Sequence, residues 1–152
     1  MRGVVQKITP VVSAIIDGQC TIDGEVYFTN LATLDEIEVG ITISTDDEKM
    51  RKIFEPGAPP IEARISTLRT LKEQGVRTHV FVGPMLPMNP EVLSEKIGPY
   101  ADSILISRMN YVANTVHLFK KLGMMQWLDK SFAQEIKTRF RKRLGEKKVT
   151  DC

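Results

Sequence analysis

The sequence predicts an α/β protein in which parallel strands alternate with helices, as a small open sheet or a piece of a barrel. Three observations carry that expectation. Strand-like apolar runs recur at residues 37–45, 76–82 and 102–110, and a helix-periodic segment follows each. Strands alternating with helices argue for parallel pairing through right-handed crossovers. The 152 residues hold one core, with room for about four or five βα units of roughly 30 residues, so an eight-unit closed barrel does not fit.

Taken in order, residues 1–36 read as a β-rich segment and residues 37–152 as the α/β unit. In "IIDGQCTIDGEVYFTN" two Asp-Gly pairs lie between β-prone runs, which is hairpin chemistry and predicts a short antiparallel excursion. "IEVGITIST" is β-branched or apolar at nearly every position, as suits a strand covered on both faces. Thr45 is expected to open the helix "TDDEKMRKIF". Thr45 and Glu48 have capping-box spacing, Asp46 and Asp47 suit the positive end of the helix, and Phe54 closes it.

"FEPGAPP" puts three prolines and a glycine into seven residues, a stiff connection to "IEARISTLRTLKEQG". There Ile61, Ile65, Leu68 and Leu71 share one face, with Pro60 at the first turn and Gly75 at the C-terminal cap. "VRTHVFVGPMLP" is a strand ended by Gly83, Pro84 and Pro87. Asn89-Pro90-Glu91 starts the helix "NPEVLSEKIG", and Gly98-Pro99 stops it. "DSILISRMN" is a third strand. "YVANTVHLFKKLG" is amphipathic through Val112, Val116, Phe119 and Leu122, and the last helix starts near Asp129 with Phe132, Ile136, Phe140 and Leu144 at spacing four.

No segment has the long uncharged apolar run of a membrane helix. Lys7 and Pro10 interrupt the N-terminal apolar patch, so it reads as strand rather than signal peptide, and the expected location is the cytoplasm. The net charge of +2 implies no partner, but residues 130–148 carry eight basic residues against Glu135 and Glu146. Such a run is either a solvated helix face or a contact with a nucleic-acid backbone. Cys20 and Cys152 form no CxxC pair and no disulfide framework, and with only His79 and His117 besides they make no zinc set.

Parallel α/β folds bind ligands at the carboxyl ends of their strands. The first such end, Ser44-Thr45-Asp46, offers hydroxyls and helix N-terminal amides for a carboxylate or phosphate, or simply caps a helix. The second, Gly83 to Pro87, offers a bare, stiffened backbone for a flat ligand, or merely ends a strand. The third, Ser107-Arg108-Met109-Asn110, offers a guanidinium for an anion, or a salt bridge across strand ends. GxSxG, Walker-type and GxGxxG motifs are absent. His79 and His117 read as packed histidines, and Met85, Met88, Met109, Met124 and Met125 as core filler.

The ordered set from Ser44 and Thr45 through Glu55-Pro56-Gly57-Ala58-Pro59, Arg64, Gly75 and Pro84 to Pro87, with "SILISRMN" after it, resembles the later half of radical SAM (S-adenosylmethionine) proteins. The branch it resembles includes spore photoproduct lyase, and the match covers residues 37–143. The resemblance implies a partial, TIM-barrel-like (β/α) barrel of parallel strands. It implies S-adenosylmethionine and a 4Fe–4S cluster as cofactors, with lyase-like radical chemistry. Carried over position by position, it makes Ser44, Thr45, Arg64, Arg108 and Asn110 the candidate cofactor-binding residues. It also implies that the "FEPGAPP" loop pins the Arg64-bearing helix behind the first strand, with Glu55 buried near that helix and paired to an arginine. The family's Cys-x3-Cys-x2-Cys motif has no counterpart here, so no metal-binding residue is assigned. The expectation is a truncated or degenerate relative that assembles no cluster alone and is inactive alone. The alternative is a non-enzymatic half barrel that pairs with a second copy or a partner chain, or binds nucleic acid through residues 130–148.

Overall fold

The structure, a computed structural model, describes residues 15–16, 19–22 and 25–28 by their backbone and residues 38–109 and 112–151 in full. Strands β1 (Ile15–Ile16), β2 (Gln19–Ile22) and β3 (Glu25–Phe28) form an antiparallel meander. Ile16 pairs with Gln19 and Ile22 with Glu25, so the register brackets the two Asp-Gly pairs at residues 17–18 and 23–24. That is the spacing of two-residue hairpins.

The second sheet holds β4 (Glu38–Thr42), β5 (Arg77–Val82), β6 (Ser103–Ile106) and β7 (Val149–Asp151), all parallel and in sequence order. Helices α2 (Ile61–Glu73), α3 (Pro90–Ile97) and α5 (Lys130–Leu144) make the three crossovers. Two further helices, α1 (Glu48–Phe54) and α4 (Val112–Lys121), follow β4 and β6. Right-handed crossovers that always step to the same side stack their helices on one face.

Burial follows that geometry. Val39, Ile41, Val80, Val82, Ile104, Ile106 and Val149 are buried, while the alternate positions Glu38, Gly40, Thr42, Arg77, His79, Phe81, Leu105 and Thr150 are not. The expectation that β4 is covered on both faces therefore fails among the described residues. Its second face is Glu38, Gly40 and Thr42, too small and polar to need a cover. His79 likewise is half-exposed rather than packed within the core. Its ring lies against Gly40 on β4, where an added Cβ would stand 2.4 Å from Nε2.

Several predicted boundaries hold. Asn89 caps α3, its side chain accepting from the Glu91 and Val92 amides with Pro90 at the first position. Asp129 precedes α5, and Gly75 takes a positive φ of 77° after α2. The cap of α1 differs. Asp47, not Thr45, accepts from the Lys49 and Met50 amides, while the Thr45 hydroxyl sits two residues ahead, accepting from the Asp47 amide and donating to the Pro87 carbonyl. Strand β7 was not predicted at all. Met125 also departs from expectation: it is 46% exposed, whereas Met85 and Met109 are buried.

Helix α5 lays Ala133, Ile136 and Phe140 on the core and turns its charges toward its neighbours. Arg139 donates from Nε and from one terminal nitrogen to the Glu91 carboxylate, at 2.7 and 2.5 Å, and Arg143 meets Glu95 at 3.2 Å. Lys137 and Arg141 meet Asp151 on β7 at 3.3 and 2.8 Å. The Arg139 guanidinium holds the Glu91 carboxyl below its usual range, against the opposing effect of burial. A depressed carboxyl adds stability above its unfolded pKa and loses it as pH falls through the folded value. The gap in urea midpoint between the native chain and Glu91→Gln is thus expected to narrow as pH drops below about 4.3. A pH-independent gap would show that this pair contributes nothing through charge.

Candidate functional site

The carboxyl ends of β4, β5 and β6 are tied into one rim. The Ile43 amide donates to the Phe81 carbonyl, Leu86 to Ser44, Met85 to Ser107, and Ser107 to Val82, at 2.9–3.2 Å. The Ser44 hydroxyl donates to the Gly83 carbonyl at 3.4 Å and the Thr45 hydroxyl to the Pro87 carbonyl at 2.7 Å. Thr45 Oγ1 also accepts from the Asp47 amide. Both residues are 1% exposed. Two of the predicted site residues therefore brace the loops of neighbouring strands.

The Gly83-Pro84 peptide is cis. The bare backbone expected at Gly83 is not bare: the glycine is buried, and the Phe81 ring lies over it, 2.5 Å from where a Cβ would stand. The absent side chain makes room for an aromatic ring of the same strand rather than for an exposed ligand surface.

Arg64, 6% exposed, is committed to structural bonds that fasten the "FEPGAPP" loop. Nε donates to the Pro59 carbonyl at 3.0 Å and Nη1 to the Thr42 carbonyl at 2.9 Å, while Nη2 meets Glu55 Oε2 at 3.1 Å. It joins α2, the end of β4 and the "FEPGAPP" loop. Glu55 is half-buried. A second buried arginine, Arg51, was missed. Its Nη1 donates to the Glu55 and Ala58 carbonyls and its Nε to Glu48. The Ile61 amide holds Glu48 below the usual carboxylate range, with help from Arg51 and against burial. The available signal was the Glu48–Arg51 spacing of three, which places both on one helix face beside the loop.

Among the described members of the set, Arg108 is the exposed one. It stands just past the end of β6, beside Ser107 and Met109, which are buried. Asn110 lies outside the described residues. His117 is exposed on α4. Of the eight basic residues in 130–148, Lys137, Arg139, Arg141 and Arg143 pair with carboxylates of α3, β7 or Glu146, and Lys148 donates to the Gly98 carbonyl at 2.6 Å. Much of the basic run thus serves the packing of α5.

Among the described residues no group of three or more His, Cys, Asp and Glu side chains could hold a metal. Cys20 lies on β2, and Cys152 is outside the described residues. No described helix is long and apolar enough to cross a membrane. A groove of about 380 Å³ lies between α3 and α5, lined by Ser94, Glu95, Gly98, Pro99, Arg143 and Leu144. It sits at the carboxyl ends of those helices, the opposite end of the sheet from the rim.

The chain is similar to two uncharacterized proteins. MJ0683 of Methanocaldococcus jannaschii is 31% identical over 80 residues, which are 51% of this chain and 31% of that protein. ORF301 of Acidianus two-tailed virus is 42% identical over 55 residues, 36% of this chain and 18% of that protein. The shared segment thus spans less than a third of either relative's length. No protein-family model matches the chain, and no solved structure does.

Proposed function

We propose that this chain is the later-strand wall of a radical SAM-like (β/α) half barrel, whose carboxyl rim binds S-adenosylmethionine through Arg108. One observation carries the reading: four parallel strands in sequence order, with alternate strand side chains buried on one face, as helices stacked on that face would leave them. A doubly wound sheet reverses its strand order and carries helices on both faces. A barrel wall adds each strand on the same side and turns one face inward. Gly40, Thr42, His79, Phe81 and Leu105 occupy the inward-facing positions in this reading.

At the rim, a guanidinium suits the ligand's carboxylate because its planar N–H pairs can grip both oxygens. Ser44, Thr45 and Arg64 enter as the groups that shape the rim, and Arg108 as the contact. The donor set does not fit a 4Fe–4S cluster. A cluster with an open iron needs three thiolates, and this sequence has Cys20 and Cys152 alone. The role assigned to this chain is therefore binding and positioning. Any thiolates would come from elsewhere, and the edges of β4 and β7 admit further strands from a second copy or a partner chain.

Calorimetric titration with S-adenosylmethionine tests the reading. The native chain is expected to bind, and Arg108→Ala to weaken binding by about 10-fold or more, the worth of one charge-assisted hydrogen bond. Absence of binding, or equal affinity in Arg108→Ala, would overturn it. Anaerobic iron and sulfide reconstitution is expected to leave the chain without a stoichiometric cluster. A 4Fe–4S spectrum would contradict the assignment of its cysteines.

A further inference from the structure

The four-strand sheet is open along both edges among the described residues. The Ile43 amide donates to the Phe81 carbonyl on β5. Backbone polar groups alternate in direction along a strand, so residues 39 and 41 also face β5, while Glu38, Gly40 and Thr42 point outward. Arg64 takes the outward Thr42 carbonyl, and no described strand pairs with the rest of that edge. On the far side, the Ile104 amide donates to the Lys148 carbonyl, so Thr150 also faces β6, while Val149 and Asp151 point outward. One edge is thus the first strand of a parallel series and the other its last.

The strands also step along one another. Arg77, the first residue of β5, stands level with Glu38 of β4, Ser103 of β6 starts two residues on, opposite His79, and Val149 of β7 starts one further, opposite Ile104. The starts therefore advance by three residues over three steps. A closed barrel of eight tilted strands and shear eight advances by one residue per strand on average. Four parallel strands with that advance amount to half of such a circuit.

The less buried face of the sheet suits an interior that one copy does not enclose. Gly40, Thr42, His79, Phe81, Leu105 and Thr150 lie on it, and the large side chains Phe81 and Leu105 are half-buried rather than covered. Glu38 and Arg77 are register partners at its amino end, so enclosing that row brings in no net charge.

We propose that two copies of this chain close into one eight-stranded parallel barrel, β7 of each copy pairing with β4 of the other. Both junctions are the same contact, so the two-fold closes and no edge is left over. Each copy then lends its exposed Arg108 to a common carboxyl mouth. The inference deepens the reading above by naming the partner, and rests on it for the sheet as a barrel wall.

Light scattering and sedimentation of the native chain, with no ligand present, are expected to give a dimer. Isotope-filtered NOEs between labelled and unlabelled copies are expected to join residues 149–151 of one copy to residues 38–42 of the other. Thr42→Pro deletes an outward amide and leaves the β4–β5 ladder its donors at residues 41 and 43. It is expected to weaken the dimer by about 100-fold or more, since both junctions lose a bond. Thr42→Lys puts a charge at a position that is exposed in the free chain and enclosed by the closure. It is expected to act in the same direction, and serves if the proline variant does not fold. A monomer whatever the concentration, contacts between the two β4 strands, or a dimer that ignores both Thr42 variants would each overturn the closure. A dimer that binds no S-adenosylmethionine supports the closure and counts against the ligand alone, whereas a monomer that binds it counts against the closure alone.

Discussion

Arg64→Met is expected to lower the unfolding free energy by about 3 kcal/mol, because it strands two carbonyls and one carboxylate at a nearly closed site. The guanidinium serves the Pro59 and Thr42 carbonyls and Glu55 at once, from a side chain 6% exposed. Methionine keeps the stem's apolar packing and removes all three bonds, so the loss reads the polar contribution. Arg64→Lys is expected to recover less than half of it, since an ammonium is a point donor and the three acceptors lie in different directions. Urea unfolding at neutral pH measures both. A loss below about 1 kcal/mol in Arg64→Met would mean that water replaces the guanidinium freely and that the loop is not pinned.

Phe140→Ala is expected to cost about 3–5 kcal/mol, the usual toll of emptying a fully buried aromatic site. Phe140 is 0% exposed and lies on the crossover that joins β6 to β7. Lys142→Ala, two residues on and exposed, is expected to change stability by no more than about 0.5 kcal/mol. The contrast distinguishes a structural crossover from a helix whose business is its charge. Similar small effects at both positions would remove α5 from the core.

Local signals made much of this fold legible. Asn89-Pro90 marks a helix start through chemistry contained within a few residues, and the two Asp-Gly pairs mark hairpins in the same way. The resemblance placed Glu55 beside the α2 helix with an arginine for a partner, and the structure identifies that arginine as Arg64 and leaves Glu55 half-buried. The failures share a cause, which is competition from distant partners. Ser44 to Glu48 offers several capping side chains in a row; Asp47 takes the cap, and the Thr45 hydroxyl donates to a carbonyl 42 positions away. Strand β7 has three residues and no periodicity, and exists through its register with β6 and the ion pairs of Asp151. Gly83 looked like exposed backbone because nothing local says that the Phe81 ring folds back over it. At the site, residue types at strand ends were readable. Which hydroxyls were already committed to neighbouring loops was not, since those acceptors come from other strands.

Amide chemical-shift mapping during titration with S-adenosylmethionine tests the central claim most directly. Binding at the carboxyl rim is expected to move the amides of residues 44–45, 83–86 and 107–109 together, and Arg108→Ala to require about 10-fold or more ligand for the same shifts. Shifts confined to the groove between α3 and α5, around Ser94 and Leu144, or no shifts at saturating ligand, would contradict it.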